Sequence, residues 1–239
     1  MATFWLLITL AVLFLAALVK ATLGFGESLL AIPLLTLVLG VQTATPLVSL
    51  LAATVTLLIL VRNWQQIDLA ATWRLILAAL VGVPVGVWGL KFLPAAWVTT
   101  VLGIFLILVG LYNLRHPKLH ALQGKLWPYV FGFLAGLFGG AYNMASPPMI
   151  IYGAVRRWPP EQFRVTLQSF FLPVSALILI GHATAGLWTA QVLRLYLLAW
   201  PVMLIAFWLG SRWNERIDAA HFGRLLYSVL VVLGVVLLI

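Results

Sequence analysis

The sequence predicts an all-α integral membrane protein, an inverted-repeat helical bundle of two five-segment halves, each with a glycine/proline-broken re-entrant or reversed helix. Three observations predict it. Hydrophobic residues make up 64% of the 239 and charged residues 8%, with a mean hydropathy of +1.13, whereas about a quarter of a soluble domain is charged. Apolar runs of about 17 to 20 residues separate short charged loops; that length spans a bilayer as a helix and exceeds a barrel strand. A glycine-to-proline interruption also occurs twice, as Gly24-Phe25-Gly26-Glu27-Ser28-Leu29-Leu30-Ala31-Ile32-Pro33 and as Gly139-Gly140-Ala141-Tyr142-Asn143-Met144-Ala145-Ser146-Pro147-Pro148.

The segments are expected at about 4–22, 28–40, 44–61, 74–90 and 97–113, then at 127–140, 144–155, 163–182, 192–210 and 222–239. The first is expected to be an uncleaved helix rather than a signal peptide, because Met1-Ala2-Thr3-Phe4 has no basic region and the apolar run continues into the first break. The second starts beyond Gly26, and the third and fourth are separated by Arg62 and Arg74. A basic linker at 114–126 follows the fifth. The sixth ends at Gly139-Gly140, Pro147 and Pro148 stand at the head of the seventh, and Arg164 opens the eighth. The halves align: Gly24 with Gly139 and Pro33 with Pro148 are both 115 apart, while Arg74 with Arg194 and Trp88 with Trp208 are both 120 apart. One transmembrane domain over 1–239 follows, with repeat 1 at about 1–113 and repeat 2 at about 127–239.

Charge sets the topology. If each glycine break reverses the chain, eleven Lys and Arg, from Arg62 to Arg224, lie on one face against Lys91 and Arg194 on the other, with Lys20 set aside. If each break is only a kink, the same residues divide six against seven. Short loops rich in Lys and Arg stay cytoplasmic, so reversal is preferred and both termini are expected outside. Five segments per half make the halves inverted relative to each other. The net charge of +9 is accounted for by these loops and implies no nucleic-acid partner.

Broken backbone survives in lipid only where it is buried in protein or lines a cavity, and paired breaks in two halves point to a transporter's binding site. Helix N-termini favour anions. The expected substrate-binding set is Gly24, Gly26, Ser28, Gly139, Gly140, Asn143 and Ser146, with Pro33, Pro147 and Pro148 as structural breaks; the alternative is that the glycines serve close packing and the prolines kinks. Glu27, the acid within the apolar segments, joins the set either as a proton site or as a group that caps the next helix or pairs with Lys20. Ser49, Gln168 and Ser169 are further candidates, with Thr54 at similar depth, although such groups more commonly bond neighbouring helices.

The histidines, His116, His120, His182 and His221, are too scattered for a metal site and are expected to be solvated. Trp5, Trp64, Trp73, Trp127 and Trp158 read as interface anchors. Cysteine is absent, which excludes thiol chemistry. With no Walker loop, acid pair or nucleophile–base pair, the expectation is a protein that is not an enzyme, with no cofactor and no metal.

The residues Gly24 to Pro33-Leu34-Leu35, Gly139-Gly140 through Pro147-Pro148-Met149-Ile150-Ile151-Tyr152, and Glu161 to Phe171 resemble the signatures of the sulfite exporter TauE/SafE family of membrane transporters, over nearly the whole chain. Glu27-Ser28 depart from that pattern where glycines are usual, and Ala145-Ser146 lack the glycine common before Pro-Pro. The resemblance implies transport of small anions, notably sulfite or organosulfonates, across the bacterial cytoplasmic membrane. The expectation is therefore a secondary transporter, an exporter of a small sulfur-containing or carboxylate anion driven by protons or membrane potential; an anion channel or a membrane scaffold are the alternatives. The expected partners are this anionic solute and the lipid bilayer.

Overall fold

The computed structural model describes residues 2–23, 25–63, 69–115, 124–213 and 219–239, some helix ends by backbone alone. Gly24, Trp64, His116 and His120 lie outside them, as do the side chains of Arg62, Arg164, His221 and Arg224. The described residues form ten helices and no strand: α1 (Ala2–Leu23), α2 (Glu27–Leu39), α3 (Val41–Asn63), α4 (Leu69–Phe92), α5 (Ala95–Arg115), α6 (Trp127–Tyr142), α7 (Ser146–Val155), α8 (Pro160–Thr184), α9 (Ala190–Trp213) and α10 (Ala219–Val236).

Each expected segment is matched by one helix, with ends differing by a few residues. The largest extension is at α4, which begins at Leu69 rather than 74, because Leu69-Ala70-Ala71 favour helix before hydropathy becomes continuous. Six helices, α1, α3, α4, α5, α8 and α9, are long and apolar enough to cross a bilayer. By contrast, α2 has 13 residues and α7 has 10, about 20 and 15 Å against a hydrocarbon core of about 30 Å. Pro33 lies inside α2, so the first break closes at Gly26 and does not extend to the proline. Pro147 and Pro148 occupy the first turn of α7, where a missing N–H removes no helical bond.

Helices from the two halves interleave. α1 packs on α9 and α4 on α6; α3 lies against α9 and α8, α4 against α8, and α5 against α10. The α4–α6 seam is the tightest, and glycine makes it so. A Cβ on Gly132, Gly136 or Gly140 would stand 2.4, 2.8 and 2.4 Å from backbone atoms of Leu75, Ala79 and Val83, and one on Gly86 would stand 2.1 Å from the Leu137 carbonyl oxygen. The rising register on both helices makes the pair parallel. Small residues at four-residue spacing let backbones meet in lipid, where apolar association has no hydrophobic driving force. The α5–α10 seam runs the other way: Gly103 meets Gly234 while Gly110 meets Tyr227, and the Gly103 and Gly234 carbonyl oxygens each close on the other glycine.

Buried Leu13, Leu29, Ile32, Leu47, Leu51 and Phe170 fill the interior, while Leu7, Leu57, Leu108, Leu197 and Ile205 are exposed on the outer surface. An apolar exterior of this kind suits lipid. Trp5 and Trp73 are exposed, as anchors are, but Trp127 and Trp158 are not free anchors: both are half-buried and packed on the core. Left-handed Arg157 (φ 52°) turns the chain so that Trp158 sits edge-on against Tyr152 at 5.1 Å, in space left by Gly153.

Candidate functional site

The second break ends a helix inside the protein, so the last carbonyls of α6 need donors from elsewhere. Asn143 adopts the left-handed conformation (φ 54°, ψ 24°), which Asn enters more readily than most residues with a side chain. Its N–H reaches the Gly139 carbonyl at 2.7 Å, and the Met144 N–H reaches Phe138 at 3.0 Å. The next two carbonyls are capped from other helices: His182 Nε2 of α8 donates to Gly140 at 2.8 Å, and Thr45 Oγ1 of α3 donates to Ala141 at 3.3 Å. Tyr142 Oη is anchored on the Val98 carbonyl of α5 at 2.8 Å.

His182 corrects the expectation of a solvated histidine. It is fully buried; with the proton on Nε2, its Nδ1 accepts, and the single Ser49 O–H is shared between Nδ1 at 3.0 Å and the Pro46 carbonyl at 2.8 Å. A C-terminal helix end in an apolar interior must find donors, and at this end the imidazole supplies one.

The first break pivots on Gly26, whose φ of 94° strains any L side chain. Across it, Lys20 of α1 and Glu27 of α2 form an ion pair with Nζ to Oε1 at 2.6 Å and side chains 7% and 8% exposed. The two breaks meet where Asn143 Nδ2 donates to Ser28 Oγ at 2.9 Å. Ser28 and Asn143 are 115 apart, the same offset as Gly24 and Gly139.

A cavity of about 30 Å³ lies at this meeting point, lined by Lys20, Phe25 and Glu27, by Ala52 of α3, by Asn143, Ala145 and Ser146, and by Phe171, Val174, Ser175 and Ile178 of α8. It gathers one ammonium, one carboxylate, one amide and two hydroxyls within apolar walls. Such a volume holds about one or two waters, and admitting a polyatomic anion requires the walls to part.

Among the sequence-derived candidates, Glu27, Asn143 and Ser146 line the cavity and Ser28 is one hydrogen bond away. Gly139 faces Ile178 of the cavity wall, while Gly140 faces α4. Ser49 bonds His182 instead of lining the cavity. Gln168 is half-buried and Ser169 fully buried on α8, and neither lines it. Thr54 bonds Tyr196 of α9. Pro147 and Pro148 carry no N–H, which halves the amide donors that the first turn of α7 could offer an anion. Polar groups at the second break are therefore mainly the Asn143 and Ser146 side chains.

Sequence reasoning treated Lys20 only as a partner for Glu27 and missed its place in the cavity wall. The signal was present, since a lysine near the end of an apolar segment is expensive unless it serves a site. Ser175 and the apolar wall of α8 carried no such signal.

The chain matches the sulfite exporter TauE/SafE family over residues 9–237. It is similar to a protein of Cupriavidus necator named as a probable sulfite/organosulfonate exporter TauE, with 29% identity over 208 residues that cover 83% of this chain and 79% of that protein. No solved structure matches the chain. Since the family match runs from the first apolar helix to the last, across both breaks and the cavity between them, the chain belongs to the sulfite exporter TauE/SafE family of membrane transporters.

Proposed function

We propose that the protein is a secondary transporter that exports small anions such as sulfite, organosulfonates or related carboxylates, binding them where the two helix breaks meet. The Ser28–Asn143 hydrogen bond carries this reading, because it joins equivalent positions of the two halves beside a buried cation. Lys20, Asn143 and Ser146 offer an oxyanion one charged and two neutral donors, and the family and the Cupriavidus necator relative supply the substrate class.

The halves are inverted repeats. When α1 to α5 are matched to α6 to α10, α1 on α9 maps onto α6 on α4, α3 on α9 onto α8 on α4, and α5 on α10 onto itself. The antiparallel register of α5 and α10 is what an axis in the membrane plane requires of equivalent helices. The short α2 and α7 are re-entrant, with both termini external and the basic loops cytoplasmic. Alternating access rocks the halves about the two breaks and opens the small cavity to one side at a time. The membrane is the bacterial cytoplasmic one.

Proteoliposomes test this. Sulfite or isethionate flux is expected in the wild type and lost in Lys20→Met and Asn143→Ala that still fold. Uphill accumulation driven by a pH gradient or a membrane potential separates a carrier from a channel. A well-folded wild type that moves no anion overturns the reading and leaves a scaffold.

A further inference from the structure

We propose that a substrate anion binds by displacing the Glu27 carboxylate from Lys20, and that Glu27 takes up one proton as it lets go, so that each monoanion travels with one proton. The inference rests on the transporter reading above and deepens it by naming the coupling ion and the group that carries it.

Lys20 and Glu27 are both nearly fully buried, touch at 2.6 Å and line the same small cavity. Among the described residues they are the charged groups of that wall, one positive and one negative, so the site as it stands is neutral. Glu27 occupies the ammonium as an internal oxyanion, chemically equivalent to the carboxylate or sulfonate that would replace it.

Among the described residues the surroundings offer no other compensating charge. On α9, Arg194 is exposed, and exposed Arg212 stacks over Trp208 at 3.7 Å, while Tyr196 bonds Thr54. On α5, Arg115 is exposed. On α10 the described titratable side chain is Tyr227. On α8 and α6, His182 is committed to Gly140 and Ser49, and Tyr142 to Val98. The described side chains of α3 include no charged group.

Adding a monoanion to this neutral pair leaves one net negative charge in an apolar interior, an arrangement that burial strongly disfavours. Neutrality returns when the carboxylate accepts a proton from the aqueous side to which the cavity is then open. The Lys20 N–H contact passes from Glu27 Oε1 to a substrate oxygen, and the new carboxylic acid O–H becomes a donor in place of an acceptor. Release reverses each step: the anion leaves, the proton returns to water and the ion pair re-forms. The loaded and empty sites then carry the same charge, so a monoanion moves without net charge transfer and gains nothing from the membrane potential; export runs down the anion's own outward gradient, and a proton gradient that is acid outside opposes it.

The experiment uses purified wild-type protein in detergent and isethionate, whose sulfonate keeps one negative charge across the working pH range. In weakly buffered solution with a pH indicator, one proton is expected to be taken up per isethionate bound. By linkage, the isethionate Kd is expected to weaken about tenfold per pH unit rise where Glu27 starts ionised. In Glu27→Gln, uptake vanishes and Kd no longer changes with pH. If sulfite binds but isethionate does not, the wild type is expected to take up one proton more per sulfite than Glu27→Gln does, and equal counts overturn the proposal. Wild-type isethionate binding with no proton uptake and a pH-independent Kd overturns it too while leaving the transporter reading intact. Binding of no anion at all overturns both. With isethionate the wild-type proton count decides the matter even if Glu27→Gln does not fold, and with sulfite Glu27→Ala serves as the second comparison.

Discussion

At the scale of single residues, backbone geometry decides what is tolerated. Asn143 holds a left-handed φ of 54° and bonds Ser28 through its side chain. Asn143→Gly keeps the turn and loses about 1 kcal/mol of hydrogen bonding, whereas Asn143→Val adds about 1–2 kcal/mol of backbone strain. Thermal unfolding in detergent should rank wild type above Gly and Gly above Val, and a valine variant as stable as the glycine one contradicts the assigned turn. Gly140 is constrained by its neighbour rather than by its own φ, since a Cβ would sit 2.4 Å from the Val83 carbonyl oxygen. Gly140→Ala is expected to lose about 1–3 kcal/mol or more through overpacking. Gly89→Ala, whose Cβ meets only Leu93 Cδ1 at 3.6 Å, serves as the control that should change little.

At the scale of the helix, the end of α6 depends on donors from two other helices. His182→Phe removes the donor to Gly140 and the partner of Ser49, leaving a buried carbonyl unmet at about 1–3 kcal/mol. Ser49→Ala removes a hydroxyl and leaves the Gly140 bond in place, so its loss should be smaller, about 1 kcal/mol. Melting temperatures in the opposite order sink the view that His182 is the cap. The helix itself was legible in the sequence, to within a few residues at each end. Its cap was not, because hydropathy says where a helix lies and is silent about which distant side chain reaches its last turn.

At the scale of the whole molecule, the proposed orientation rests on the charge count, and a chain without cysteine gives clean single-cysteine labelling. An impermeant thiol reagent should reach His120→Cys only from the cytoplasmic side, and Thr189→Cys, between α8 and α9, only from the outside. Labelling both from one side is incompatible with the proposed topology. The candidate site was partly visible beforehand: Glu27, Asn143 and Ser146 were named from the breaks, and all three face one cavity. Ser49, Gln168 and Ser169 were named from depth along the chain and lie away from it, because depth fixes a level in the membrane but not a direction around the helix.

By itself the sequence determined the helical class, the ten segments and the two breaks, since each follows from local composition along the chain. Tertiary structure alone decided that Lys20 and Glu27 share a cavity with Asn143 and Ser146, that Gly140 packs on Val83, and that His182 is buried against α6. The physical reason lies in the solvent. In water a helix advertises its buried side by an apolar stripe, whereas in lipid both sides are apolar, so only close packing of glycine seams and the pairing of scarce polar groups reveal which faces meet.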